Sequence, residues 1–138
     1  MSAVDDGVRA AFRHRYGPWA VVTGASSGIG LAIANELAAR GLDLLLVSRR
    51  GPVLDAVTAR IAAAHPVGCA VLAADLGTVS GRALLLERMS GLDIGLLVHA
   101  AGYGTAGSFL DTAVADEVDM LQVNAVAALE LAHALAPK

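Results

Sequence analysis

Short runs of uninterrupted apolar residues alternate along the chain with segments whose apolar residues recur every three or four positions. Residues 19–23, 43–47, 67–73 and 94–98 are apolar nearly throughout, which predicts four strands buried on both faces, as parallel strands are. Between them, Ile29, Ile33 and Leu37 recur every fourth residue and stop at Gly41, a residue suited to close a helix. Val53, Val57 and Ile61 repeat the pattern behind Pro52, which a first helical turn tolerates. A third helix is expected over 79–89 and a fourth over 115–136, with Val118, Leu121, Ala125, Leu129 and Ala132 as its apolar stripe. Residues 1–17 carry weak periodicity and several charges, so they read as an N-terminal arm or short helix, with 18–138 as the folded domain.

Strands separated by helices pair in parallel through right-handed crossovers, which predicts an α/β fold: a doubly wound open sheet of about four strands with helices on both faces. Such sheets bind ligands beyond the carboxyl ends of their strands, where strand order reverses.

Composition narrows the function. With 138 residues, 56% hydrophobic and 17% charged, the chain suits one compact domain and excludes a disordered tail or coiled coil. A net charge of −3, ten basic residues spread along the chain and five aromatic ones leave no electrostatic footprint for nucleic acid. The single cysteine, Cys69, has no internal disulfide partner, and His14, His65, His99 and His133 are too far apart in sequence to suggest a metal site. Asp5 and Asp6 stand where a signal peptide would be basic, and Gly, Ser and Thr break the longest uncharged stretches. The expectation is a cytoplasmic protein without membrane attachment.

The candidate chemistry lies directly after the first strand, in Thr23-Gly24-Ala25-Ser26-Ser27-Gly28-Ile29-Gly30. Gly24 permits a sharp turn off the strand, Gly28 lacks the Cβ that would block a pyrophosphate, and Gly30 lets the helix pack closely on the sheet. The helix N-terminus adds unpaired N–H groups and a partial positive charge, and Ser26 and Ser27 add hydroxyls. Such a turn alone could be no more than a tight strand-to-helix connection. The segment also reads G-x-S-x-G, a hydrolase nucleophile elbow with Ser26 as nucleophile and His133 as a late histidine. That reading needs several strands before the elbow, and only about eighteen residues precede the first strand.

The eight residues match T-G-x-x-x-G-x-G, and with it the chain from about Tyr16 to Lys138 resembles the short-chain dehydrogenase/reductase family. Asp75-Leu76 after the third strand resembles the family's adenine-binding Asp. Ala101-Gly102 resembles the end of its Asn-Asn-Ala-Gly motif, and Asn124 the helix Asn of its catalytic tetrad. The resemblance implies a Rossmann fold with strands in the order 3-2-1-4-5-6-7. It further implies an NAD(P)-dependent oxidoreductase that moves a hydride between nicotinamide and a carbonyl or alcohol carbon.

Two departures stand out. His99-Ala100 occupies the place of Asn-Asn, so the side-chain amide that ties strand four to its neighbours is expected to be missing. The family's catalytic Ser and Tyr-x-x-x-Lys also have no counterpart: the one Lys is Lys138, the Tyr residues are Tyr16 and Tyr103, and Gly107 lies four residues beyond Tyr103. These 138 residues therefore read as the cofactor-binding part of such an enzyme, truncated before the catalytic pair, with a non-catalytic nucleotide-binding or subunit-pairing module as the alternative.

Arg49 and Arg50 follow the second strand where an acid would recognise the ribose 2′-OH of NAD. Guanidinium groups there suit the extra phosphate of NADP, so NADP is expected rather than NAD, against the plainer reading of two solvated arginines. Asp75 could equally cap the next turn. Asn124, unfavourable inside a helix, needs a polar task. Cys69 reads as a small core residue, and His99 as a hydrogen-bonded strand-end residue. A fourth strand lying at the sheet edge with neither Lys nor Pro, beside an uncovered last helix, predicts self-association.

Overall fold

The computed structural model describes residues 3–136. Four parallel strands, β1 (Trp19–Thr23), β2 (Asp43–Ser48), β3 (Cys69–Ala73) and β4 (Ile94–His99), form one sheet in the order β3-β2-β1-β4. The helices are α1 (Ala3–Tyr16), α2 (Gly28–Ala39), α3 (Gly51–Ala64), α4 (Val79–Ser90), α5 (Val114–Leu121) and α6 (Ala127–Leu135). Order reverses between β1 and β4, so the carboxyl ends of these two strands flank the switch point at which doubly wound sheets bind ligands.

The central strands β1 and β2 are buried along nearly their whole length because both sheet faces are covered there, whereas β3 and β4, expected to be equally buried, lie at the sheet edges and are mostly half-buried, with only Ile94 of β4 fully inside. Ala20 and Val22 of β1 turn to one side and pack with Leu44, Leu46, Leu37, Leu54, Val57 and Ile61 beneath α2 and α3. Val21 turns to the other and packs with Leu45, Val47, Leu85, Met89, Ala127 and Leu131 beneath α4 and α6. At about 25 cal/mol per Å² of apolar surface, each buried Leu or Val contributes roughly 1.5–3 kcal/mol, and these two layers hold the sheet. Helix α1 adds Phe12 and Tyr16 to the first layer. Arg13 fixes it at the far end of the strands by donating to the Gly41 carbonyl and to Asp43, both at 2.7 Å.

Three expectations need correction. Strand β3 starts at Cys69 rather than Val67, because Gly68 N–H is taken by the Asp43 side chain at 2.7 Å before the ladder begins with Leu44 opposite Cys69. On α3, Leu54 is the buried residue of the first turn while Val53 lies at the surface. The fourth helix is broken: Gln122–Val126 forms a π-turn between α5 and α6. Its face is also reversed. Val118, Leu121 and Leu129 are 46%, 54% and 70% exposed, and Ala125 and Ala132 are exposed, while Ala127 and Leu131 are buried. The π-turn shifts the helical phase, and burial follows residues 123, 127, 131 and 135 instead of the predicted stripe.

No helix of the described residues is long and apolar enough to cross a membrane. Among these residues, no group of three or more His, Cys, Asp and Glu side chains is placed to hold a metal ion.

Candidate functional site

At the carboxyl ends of the strands lies a cleft of about 620 Å³. Its floor is the glycine loop between β1 and α2. Gly24 turns the chain with φ +65°, and a Cβ there would sit 2.7 Å from the Ala100 carbonyl carbon, so only glycine lets the loop approach the end of β4. Gly28 has φ +57° with nothing within 4 Å of its missing Cβ, which leaves open space at the mouth of α2. A Cβ on Gly30 would collide with the Gly24 carbonyl and come within 3.1 Å of the Thr23 oxygen. Ser27 is the N-cap of α2 yet makes no side-chain capping bond. The first N–H groups of the helix are thereby left available to a ligand in the cleft.

One wall is basic. Arg49 and Arg50, at the end of β2, both line the cleft. Arg50 Nη2 donates to Ser26 Oγ at 3.0 Å and to Ser27 Oγ at 3.4 Å. The two hydroxyls accept from the guanidinium and keep their own protons for another acceptor. The same lip therefore offers cationic and hydroxyl donors together, a combination suited to a phosphate.

The opposite side is built by the segment after β3. Asp75 lines the cleft, but its Oδ1 also accepts from Gly77 N at 2.9 Å, and Thr78 then caps α4 by accepting from Gly81 N at 3.0 Å. Asp75 thus closes a turn through Oδ1 while lining the cleft. The next residue, Leu76, also lines it, and its carbonyl is held at 3.1 Å by the buried Arg82, which in turn donates to Glu130 of α6 at 2.9 Å.

The structure brings Gly24, Ser26, Ser27, Gly28, Ile29, Gly30, Arg49, Arg50, Asp75, Leu76, Ala101 and Gly102 to this one cleft. Two of the residues singled out in the sequence lie behind it. Thr23 is fully buried, and its Oγ1 accepts from Ala101 N at 3.1 Å, joining β1 to the loop after β4. Asn124, in the π-turn, accepts from Tyr103 N at 3.1 Å and donates to Tyr103 O at 2.8 Å, gripping one residue of that loop from both sides.

The tie expected to be missing at position 99 is present in another form. His99 Nδ1 lies 2.9 Å from Thr23 Oγ1, and Nε2 lies 2.9 Å from the Val123 carbonyl. Imidazole is long enough to span both partners.

Sequence reasoning missed Ser48, Gly77, Tyr103, Asp119 and Val123, all of which line the cleft. Ser48 and Tyr103 adjoin residues already singled out and follow from the rule that ligands meet strand ends. Asp119 and Val123 belong to a helix and carry no local signal.

Residues 18–138 match the family model described as short chain dehydrogenase. A curated human relative, inactive hydroxysteroid dehydrogenase-like protein 1, is 38% identical over 136 residues, which cover 95% of this chain and 41% of that protein. The very-long-chain 3-oxoacyl-CoA reductase-B of Danio rerio is 35% identical over 126 residues, covering 88% and 40%. A solved short-chain dehydrogenase from Sphingobium yanoikuyae, in complex with NADPH, superposes with a TM-score of 0.84 at 36% identity, over 87% of this chain and 48% of that one. The chain thus spans about two fifths of these curated relatives and about half of the solved structure.

Proposed function

The chain belongs to the short chain dehydrogenase family, and on that premise we propose that its cleft binds a nicotinamide dinucleotide, with NADP preferred to NAD. The observation that carries this reading is Arg50 at 3.0 Å from Ser26 Oγ, beside an open glycine loop and an uncapped helix N-terminus. The cradle fits the group. The space over Gly28 and the free N–H groups of α2 suit a pyrophosphate, Arg49 and Arg50 with Ser26 suit a ribose 2′-phosphate, and Asp75 with Leu76 suits the adenine edge. The NADPH held by the Sphingobium protein, similar in sequence and fold, supports the same assignment.

When bound, the dinucleotide would supply the hydride chemistry, donating to a carbonyl carbon in its reduced form or accepting from an alcohol carbon in its oxidised form. This chain's residues bind and orient: the loop neutralises the diphosphate, the arginines select the 2′-phosphate, and Asn124 holds the loop carrying Gly102 and Tyr103. Proton transfer by a positioned side chain contributes about 10²–10⁴ in rate, and residues 1–138 contain no Tyr-x-x-x-Lys. These residues by themselves therefore bind the cofactor without turning it over. In the alternative, a nucleotide-binding or pairing module, the exposed Val118, Leu121 and Leu129 and the edge strand β4 favour self-association.

NADPH fluorescence on titration with protein tests the site. A saturable change that Gly28→Trp abolishes is expected, since indole fills the open space. No change with the unmodified protein overturns the assignment. Sustained NADPH oxidation by residues 1–138 with a panel of aldehydes and ketones overturns the division between binding and turnover.

A further inference from the structure

The hydrogen bonds around His99 run in one direction. The Val123 carbonyl can only accept, so His99 Nε2, 2.9 Å away, carries a proton. In the neutral ring Nδ1 is then an acceptor, and Thr23 Oγ1 at 2.9 Å donates to it. That hydroxyl still accepts from Ala101 N at 3.1 Å. The opposite tautomer would set a ring lone pair against the Val123 carbonyl oxygen.

The chain then closes on itself. Val123 precedes Asn124, whose amide grips Tyr103 at 3.1 and 2.8 Å. Gly102 packs so tightly on that amide that a Cβ would lie 2.8 Å from Asn124 Oδ1. The position of the Gly102–Tyr103 wall is thus set by the π-turn, and the π-turn is tied to the glycine-loop strand through one imidazole.

We infer that His99 is a positioning residue: as the Nε2–H tautomer it links Thr23 to the π-turn and so holds the Gly102–Tyr103 wall at the distance that the dinucleotide needs. This rests on the cofactor reading above and adds to it the residue that sets the width of the cleft. The wall follows β4 and the arginines follow β2, on either side of β1, so the arginine contacts that dominate binding of a 2′-phosphate do not depend on it.

Two probes separate these ends: NADPH, and adenosine 2′,5′-bisphosphate, which lacks everything beyond the adenosine phosphates. Replacing His99 by Phe removes both bonds and is expected to weaken NADPH about five- to thirtyfold, the equivalent of one or two neutral hydrogen bonds. Bisphosphate affinity should be unchanged. His99→Gln places its amide nitrogen near the reach of Nε2 and should recover NADPH binding, whereas His99→Met, of similar length but without a hydrogen-bond donor, should not. If His99→Phe loses both ligands because its fold is damaged, the Gln and Met pair decides, and equal affinity in those two overturns the inference. Nitrogen-15 correlation spectra of the unmodified protein give an independent reading of the imidazole: an Nε2–H tautomer is expected, and an Nδ1–H tautomer overturns the bridge. Should the unmodified protein bind neither probe, the cofactor reading fails, and the tautomer still judges the bridge.

Discussion

Replacing Glu130 with Ala should destabilise the protein by about 2 kcal/mol, although Glu130 lies on α6, outside the cleft lining. Its partner Arg82 keeps 5% of its side-chain surface exposed, while Glu130 keeps 39%, and the two meet at 2.9 Å between α4 and α6. Removing one member of a fully buried pair costs about 3–5 kcal/mol, because the other charge remains without compensation, and an exposed pair is worth about 0–1. Glu130 is partly solvated and water can reach the vacated space, which sets the value between those limits. For a domain of this size, about 2 kcal/mol corresponds to a fall in Tm of about 7 °C. Urea unfolding at neutral pH measures the change. Arg82→Met combined with Glu130→Ala should cost less than the two single changes together, since the second removes a partner already lost. Because Arg82 also holds the Leu76 carbonyl at 3.1 Å, the loosened guanidinium should weaken adenine-side binding as well. A Glu130→Ala variant within about 0.5 kcal/mol of the parent, at an unchanged urea slope, would show that the pair is solvated and that α6 is held by Ala127 and Leu131 alone.

Four further outcomes follow from particular residues. Gly30→Ala should cost about 1–3 kcal/mol in thermal unfolding, because its Cβ meets backbone at Gly24 and Thr23 that cannot give way. Gly28→Ala should cost about 1–2 kcal/mol for its positive φ while leaving the packing intact; equal packing loss at both sites would refute the distinction. Leu131→Ala should cost about 2–5 kcal/mol and Leu129→Ala under about 0.5, and the reverse order in urea would restore the predicted stripe. Burial first, and then the Asp43 carboxylate, raise the Cys69 pKa, so the neutral thiol should alkylate more slowly in the folded protein than in urea. The unfolded thiol releases its proton first, so this group's contribution to stability is complete at neutral pH. It declines as pH rises past about 8.5, and pH-independent stability between 7 and 10 would count against the shift.

The strands and the glycine loop were legible because their signals are local. Uninterrupted apolar runs mark the strands of a covered sheet, and three of the four were placed to within one residue at each end, though only β1 and β2 are buried nearly throughout. Gly24, Gly28 and Gly30 could be read because each spacing has its own steric reason. Helix α6 was not legible: Leu129, Glu130 and Leu131 are adjacent, and which leucine turns inward depends on the helical phase, which leaves Glu130 meeting Arg82, 48 residues earlier. The π-turn that sets this phase has no composition of its own. The role of His99 was equally hidden, since its two partners, Thr23 and Val123, come together only when β1, β4 and the π-turn are assembled. Asp75 was read as either an adenine ligand or a turn former, and the structure shows Oδ1 closing the turn in a residue that lines the cleft.

Isothermal titration of the protein with NADPH and with NADH under identical buffer and salt tests the assignment of the cleft most directly. A charge-assisted contact to the 2′-phosphate contributes about 1.5–3 kcal/mol, so NADPH should bind about 10- to 150-fold more tightly, and Arg49→Asp should abolish or reverse that preference. Equal affinity for the two dinucleotides would mean that Arg49 and Arg50 are solvated surface residues, and absence of binding by both would mean that the cleft is not a dinucleotide site.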